Sequence, residues 1–339
     1  MKRQQLWTDL DISERQVILE NVREKRKLDV IAIEKDFWVS MVLKALFSLP
    51  VRKSIVFKGG TSLSKGWNLI DRFSEDIDLA IDREFFGFAK DLGKNQRDKL
   101  RRTSKKYIEE TLAPTLANQL GELGLADQIN VVVPPVKESD KDPVELFIEY
   151  KSVLPSINPY INKRVKLEIS CRSMREPFKE IPMRSMIAEE YANEPFAEAP
   201  FPVPTVLPGR TFLEKAFLLH EEFNRPNGCT HLERLTRHLY DIEKMMDKPF
   251  AKEAMNDSQL YNDIVEHRSK FTAWSGLDYK SHQPSTISFV PPSEVEDSLR
   301  RDYTSMQQNF IYGDSLPYDM LIDRIKELQQ RFREIKYRD

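Results

Sequence analysis

Apolar residues fall at helical spacing through residues 31–49 (IAIEKDFWVSMVLKALFSL), and Pro50 stops the run. The stretch before it, 17–28, is polar with spaced aliphatics, and Asp11 and Ser13 offer caps for a helix there. After Pro50 the period shortens. Residues 54–57 (SIVF) form a β-rich run ended by Gly59-Gly60, and residues 76–81 alternate polar and apolar. The pattern predicts two short strands with a helix over 61–70 between them. Residues 90–120 read as one long helix whose first half is basic: Lys90, Lys94, Arg97, Lys99, Arg101, Arg102, Lys105 and Lys106. Three more strands are expected over 128–133, 144–150 and 164–169, giving a small sheet with helices on one face.

Seven prolines lie between Pro177 and Pro208, a density that breaks helices and central strands. This stretch reads as an extended connection and a domain boundary. Beyond it the pattern is helical. Thr211-x-x-Glu214 and Thr230-x-x-Glu233 fit the capping box, and a last helix is expected over 318–337. In the helix from Thr230, Leu232, Leu235, Leu239, Ile242 and Met246 make an apolar seam. Arg234, Arg237, His238 and Asp241 make a polar face, on which Asp241 is in range of Arg237 or His238. The expected fold class is α+β: N-terminal helices over 1–50, a small mixed sheet with helices over 51–185, a proline-rich connection over 186–209, and a helical domain over 210–339.

Composition narrows the function classes. The chain has 339 residues, 52 Lys+Arg against 54 Asp+Glu and a formal charge of −2, so it is no polycation, and any nucleic-acid contact must come from a local patch. No apolar run reaches the ~18 residues of a membrane span. The first residues are too charged for the apolar core of a signal peptide, so a cytoplasmic protein with no membrane partner is expected. Cys171 and Cys229 are too few for a disulfide framework and form no Cys-x-x-Cys pair.

The candidate chemistry lies in IVFKGGTSLSKGWNLIDRFSEDIDLAI. Gly59 and Gly60 permit close backbone approach, and Thr61 and Ser62 stand where a helix begins, a place that suits phosphate. Hydroxyls there can donate to phosphate oxygens. Asp76 and Asp78, two apart on a strand, share a face about 6.5–7 Å apart along the chain. Paired carboxylates beside a phosphate-binding turn suit Mg²⁺ or Mn²⁺, which uses one or two carboxylates plus substrate phosphates. Asp-x-Asp alone is common on solvated strand ends and Gly-Gly alone is common in turns; the ordered combination is the specific signal. The glycine signatures of P-loop and dinucleotide folds and the kinase catalytic motifs are absent.

Other residues admit two readings. Lys166, Glu168 and Ser170 share one face of a strand, and Glu168 is either a third carboxylate able to accept a proton from an acceptor hydroxyl or part of a solvated face. The basic helix is either an RNA-backbone contact or a solvated face; it interleaves no base-stacking aromatics. The five histidines show no metal-ligand pairing, and Trp38 and Trp67 read as core. From the residues alone, Lys215 reads as a surface lysine.

Several motifs in order resemble the AbiEii/AbiGii toxin family, within the nucleotidyltransferases of the DNA polymerase β superfamily. They are Glu34-Lys35-Asp36-Phe37-Trp38, Phe57-Lys58-Gly59-Gly60-Thr61-Ser62-Leu63, Arg72-Phe73-Ser74-Glu75-Asp76-Ile77-Asp78-Leu79, Glu214-Lys215 before Leu218-Leu219-His220, and Arg237-His238-Leu239-Tyr240-Asp241. The wider superfamily has Gly-Ser where this chain has Gly-Gly-Thr-Ser. The resemblance implies a metal-dependent toxin that transfers a nucleoside monophosphate from an NTP to RNA, the tRNA 3′ end in related toxins. It also implies a type IV toxin–antitoxin or phage-defence setting, with a cognate antitoxin encoded nearby that forms no stable complex. It implies Asp76, Asp78, Lys215, Asp241 and Glu168 as catalytic residues, Asp76 and Asp78 as metal ligands, and Lys58, Gly59, Gly60, Thr61, Ser62, Arg72, Ser74 and Arg237 as nucleotide contacts. NMP or phosphoryl transfer to a protein, and a non-catalytic nucleotide-binding scaffold, are the alternatives.

Overall fold

The computed structural model describes residues 4–88, 92–136, 138–155, 163–172, 176–226, 228–229 and 232–337. They fall into two compact units, 1–66 with 74–206 and 67–73 with 207–339.

The first unit is built on one seven-stranded mixed sheet. Its strands are β1 (Ile55–Lys58), β2 (Ile77–Ile81), β3 (Ile129–Val132), β4 (Val144–Tyr150), β5 (Arg164–Ser170), β6 (Phe178–Met183) and β7 (Phe201–Val206), in the order β3-β4-β5-β2-β1-β7-β6. β2 pairs with β5 and β1 with β7 in parallel, and the other pairs are antiparallel. The alternation read from the sequence sets the faces. Phe57, Ile77, Leu79, Val165, Leu167 and Ile169 are fully or nearly fully buried on one face. Lys58, Asp78 and Glu168 occupy the other and stay half-buried.

The proline-rich stretch corrects the sequence reading. It is not a linker: β6 and β7 pair along their whole lengths, with Pro182 opposite Pro202. Donors alternate between the two edges of a strand, so Pro202 and Pro204 remove N–H groups from one edge only and leave the other able to pair. A short helix, Met186–Glu190, sits between the two strands. The stretch 186–206 therefore belongs to the first unit.

Two N-terminal helices complete this unit. Asp11 caps Ile12–Arg26, and the Asp29 carboxylate accepts the Ile31 N–H at 2.8 Å to start Val30–Leu46. The second helix is buried almost all round, and Trp38 stacks on Tyr150 with centroids 5.0 Å apart. A buried aromatic of this kind removes on the order of 200 Å² from water, several kcal/mol of driving force. The expected long helix is continuous in direction but not in winding: Lys94–Tyr107 passes through a π turn, Ile108–Leu112, into Ala113–Glu122. Leu100, Ser104, Ile108, Leu112, Leu116 and Leu120 are its buried stripe, and Lys94, Lys99, Arg102 and Lys106 are exposed. Lys90 lies outside the described residues.

The second unit contains the helices Pro208–Phe223, Thr236–Met245, Pro249–Asn256, Ser258–Phe271, Glu296–Asn309 and Tyr318–Arg333. The capping box expected at Thr211 does not start its helix. Pro208, with φ already set and no N–H to lose, begins its helix three residues before Thr211. The next described helix begins at Thr236, where Asp302 accepts the Thr236 N–H at 3.1 Å; Thr230 lies outside the described residues. The segment 67–73 is strapped into this unit by backbone bonds, Phe73 N–H to Phe310 O at 2.7 Å and Tyr312 N–H to Asp71 O at 3.0 Å. The helix expected after the glycine doublet therefore stops at Gly66 instead of reaching residue 70.

Candidate active site

The turn after β1 and the polar face of β2 meet. Lys58 lies opposite Asp78 across the antiparallel β1–β2 pair, and Asp78 lies beside Glu168 across the parallel β2–β5 pair. Glu145 of β4 is next in the same row, opposite Glu168. Gly59 has φ +78°, and a Cβ placed on it would stand 1.9 Å from Asp78 Oδ2. The Asp78 carboxylate thus occupies the space that a side chain at Gly59 would need. Asp76, two residues earlier, shares the half-buried side of the strand, while Ile77 between them is fully buried. Lys166 Nζ contacts Glu168 and lies 3.3 Å from Glu145 Oε1. Burial pulls the Lys166 ammonium down, but the Glu168 hydrogen bond and the charges of Glu168, Glu145 and Asp76 outweigh it and hold it above its ordinary value. Lys58, the other cation of the row, pairs with Glu176 at 3.3 Å.

The helix here starts at Gly59, two residues earlier than expected, with Lys58 as an N-cap that makes no side-chain cap. The two hydroxyls turn inward. Thr61 Oγ1 donates to the Asp76 carbonyl at 2.6 Å and lies 2.9 Å from Ser74 Oγ, and Ser62 Oγ donates to the Gly59 carbonyl at 2.8 Å. A hydroxyl has one proton, and these protons go to carbonyls; they fix the turn and tie it to the strand. The donors this geometry offers an anion are backbone N–H groups of the first turn. Gly59→Ala is expected to cost about 1–3 kcal/mol from the left-handed backbone alone. It also displaces Asp78, so calorimetry should show a lowered Tm together with loss of activity. Full activity in a folded variant would show that the seat of Asp78 is not needed.

The motif Glu34–Asp36 braces both sides of this turn, a role that the sequence reading did not assign. Lys35 Nζ binds Glu75 Oε2 at 2.5 Å, next to Asp76. Asp36 Oδ1 accepts from Lys65 Nζ at 2.6 Å, at the far end of the stretch that begins at Gly59, and its Oδ2 accepts the Met186 N–H at 2.7 Å. Glu34 accepts the Val153 N–H at 2.8 Å. Three charged residues in a row on a mostly apolar helix were the signal available: buried charges must be paired.

A second cluster forms within the second unit. Arg72 binds Asp241 through two hydrogen bonds of 2.7 Å, and Lys215 Nζ lies 2.9 Å from Asp241 Oδ2 and 3.2 Å from His238 Nδ1. All three charged groups are buried, so Lys215 is not a surface lysine, and Asp241 pairs off its own helix instead of with Arg237 or His238. Burial opposes ionisation of Asp241, but Arg72 and Lys215 overcome it and hold the carboxyl below its usual range. Lys215 is pushed down by burial first, then by Arg72 and Arg237, against the pull of Asp241. Ser74 and the turn belong to the first unit, and Arg72, Arg237, Lys215 and Asp241 to the second.

A family model described as the nucleotidyl transferase AbiEii toxin of type IV toxin–antitoxin systems matches residues 42–335. The chain belongs to the AbiEii family. It is a nucleotidyltransferase toxin by that membership. Two solved structures are similar. One is JHP933 from Helicobacter pylori, 17% identical over 91% of this chain and 94% of that one, TM-score 0.44. The other is MenT4, a nucleotidyltransferase toxin from Mycobacterium tuberculosis H37Rv, 14% identical over 96% of this chain and 100% of that one, TM-score 0.43. Comparison with curated proteins gives no match. No helix among the described residues is long and apolar enough to cross a membrane.

The AbiEii match includes both clusters, and the buried histidines of the second unit add a pH dependence. His220 is buried with its ring bonded to the Ser288 backbone and Ser281 Oγ, and burial, then His282, lowers it to about 4. His238 is lowered well below its ordinary value by burial, then Lys215. An unfolded imidazole binds its proton near pH 6.5, whereas the folded His220 refuses it until about pH 4. Stability contributed by this group is present above pH 6.5 and lost as pH falls toward 4, by about 3 kcal/mol at most. Thermal melts at steps from neutral to mildly acidic pH check this; a flat Tm across that window would contradict it.

Proposed function

We propose that the protein transfers a nucleoside monophosphate from an NTP to an RNA acceptor, the 3′ end of a tRNA, with Mg²⁺ or Mn²⁺ held by Asp76 and Asp78. The observation that carries this reading is the seat of the Asp78 carboxylate in the space beside Gly59, at a helix start, with Asp76 and Glu168 on the same side of the sheet. The donor set suits a divalent cation. The candidate ligands are the Asp76 and Asp78 pair alone, with Lys58 opposite Asp78 and Glu168 beside it; among the described residues no group of three or more His, Cys, Asp or Glu is placed to hold a metal. Hard cations of this kind take one or two carboxylates and complete their shell with phosphate oxygens and water. When bound, the ion supplies charge neutralisation for the triphosphate and the departing pyrophosphate.

The chain's own residues do the rest. First-turn N–H groups at Gly59 and Gly60 receive phosphate oxygens. The acceptor hydroxyl oxygen bonds to the α-phosphorus, the bond to the bridging oxygen breaks, and pyrophosphate leaves. The hydroxyl proton passes to a carboxylate of the row, for which Glu168 is the candidate. Lys35 and Asp36 hold the turn and strand in register. The family resemblance adds Lys215, Asp241 and Arg237 as reaction residues. A cognate antitoxin encoded nearby and acting without a stable complex, a cytoplasmic setting and a role in phage defence complete the reading. The test is incubation of full-length protein with tRNA, Mg²⁺ and each labelled NTP in turn. Label at the RNA 3′ end from one NTP, abolished by chelation, is expected. No label in RNA from any NTP would sink the RNA acceptor, and label in protein instead would redirect the transfer to a protein hydroxyl.

A further inference from the structure

Lys166 stands in the densest part of the acidic row. That row crosses three strands of the first unit on the polar face of the sheet: Asp78 lies beside Glu168, and Glu168 lies opposite Glu145. Lys166 is on β5, two residues before Glu168, so its side chain shares that face. Its ammonium contacts the Glu168 carboxylate, lies 3.3 Å from Glu145 Oε1, and is close enough to Asp76 for that charge to act on it. One group with a single positive charge thus joins two carboxylates of neighbouring strands and faces a third. Lys–Glu pairs across strands are ordinary on half-exposed sheets, where they add modest stability. This one differs in its place, because Glu168 is the direct neighbour of Asp78. A divalent ion shared by Asp78 and Glu168 would have to approach an ammonium already in contact with Glu168, and like charges repel. Two-ion sites for displacement at phosphorus put one ion on the nucleotide and the other on the attacking oxygen. A lysine ammonium is a compact point charge that can take the place of the second.

We infer that Lys166 is this chain's built-in second cation: its ammonium holds Glu168 and Glu145 together where a second divalent ion would sit. The site then takes a single divalent ion, a count that rests on the proposed Asp76–Asp78 pair. Lys166 is in these terms a positioning residue, which fixes Glu168 and supplies positive charge on the acceptor side of that pair.

The experiment counts Mn²⁺ bound per chain, from the electron paramagnetic resonance signal of the free ion, on full-length protein without nucleotide. The variants are Lys166→Met, Lys166→Arg, Glu168→Gln, and Lys166→Met combined with Glu168→Gln. Lys166→Met is expected to bind one Mn²⁺ more than the parent and to lose the extra ion when Glu168→Gln is added. Lys166→Arg, which keeps the charge, and Glu168→Gln alone, which removes no ligand of the parent's ion, are expected to keep the parent's count. Equal counts in the parent and a folded Lys166→Met protein, the outcome for a merely structural ion pair, would overturn the inference. So would a parent ion that is lost in Glu168→Gln, and that arm decides the matter even where Lys166→Met does not fold. Melting curves identify the folded variants, and Mn²⁺ is expected to raise the Tm of Lys166→Met more than that of the parent. The parent's own count tests a different point. An ion lost in Asp78→Asn supports the proposed metal pair; its absence refutes that pair, and the gain in Lys166→Met still decides the role of Lys166.

Discussion

If Asp78 holds the metal as proposed, Asp78→Asn is expected to lower nucleotide transfer by on the order of 10³-fold or more, the loss of several kcal/mol of transition-state stabilisation. The fold should survive. Asn has the same shape, so it still fits beside Gly59, and removing one charge relieves a row in which Asp78 lies beside Glu168. Asp76→Asn should behave in the same way, because the Thr61 tether uses the Asp76 carbonyl and not its side chain. The measurement is single-turnover transfer set beside a thermal melt. Transfer within tenfold of the parent in a well-folded Asp78→Asn protein would remove the carboxylate pair from the mechanism. A large drop in Tm would instead assign Asp78 a structural role.

The largest stability effect should come from Asp241→Ala. Asp241 is fully buried and is the shared partner of Arg72 and Lys215. Removing it strands two cations in a site that has already depressed Lys215, and breaking a buried pair in this way costs about 3–5 kcal/mol. Chemical denaturation should show the midpoint shift. Lys215→Met in the same protein should recover part of the loss, because one of the stranded charges is then absent and the two substitutions are not additive. A strictly additive double variant would argue that Lys215 and Asp241 do not act as a unit. Any loss of activity in Asp241→Ala must be read against this destabilisation, whereas Asp78→Asn carries no such burden.

The strands that matter most for the chemistry were legible because their pattern is local. Alternation over residues 76–81 and 164–169 gave strand and facing together, and β4 was found with its observed limits. What escaped was the pairing. Glu145 is one of two acidic residues on a strand read only as a strand, and nothing in its neighbours says that β4 will lie beside β5 and bring it to Lys166. Prolines misled for the opposite reason. Their density is a strong local signal, but whether a missing donor matters depends on which edge of the strand it faces, and that is set by β6 and β1.

The sequence by itself determined the N-terminal helices, the strands β1 to β5, the glycine that tolerates a left-handed turn and the Asp-x-Asp that shares a face, because each follows from backbone geometry within a few residues. It also carried the ordered motifs that mark the family. Only the tertiary structure decided where the charges go: Lys35 to Glu75, Lys65 to Asp36, and both Arg72 and Lys215 to Asp241. Those partners lie 26 to 169 residues apart, the extremes being Lys215–Asp241 and Arg72–Asp241. Burial makes pairing obligatory for such groups, but the choice of partner is made by the packing of elements distant in the chain.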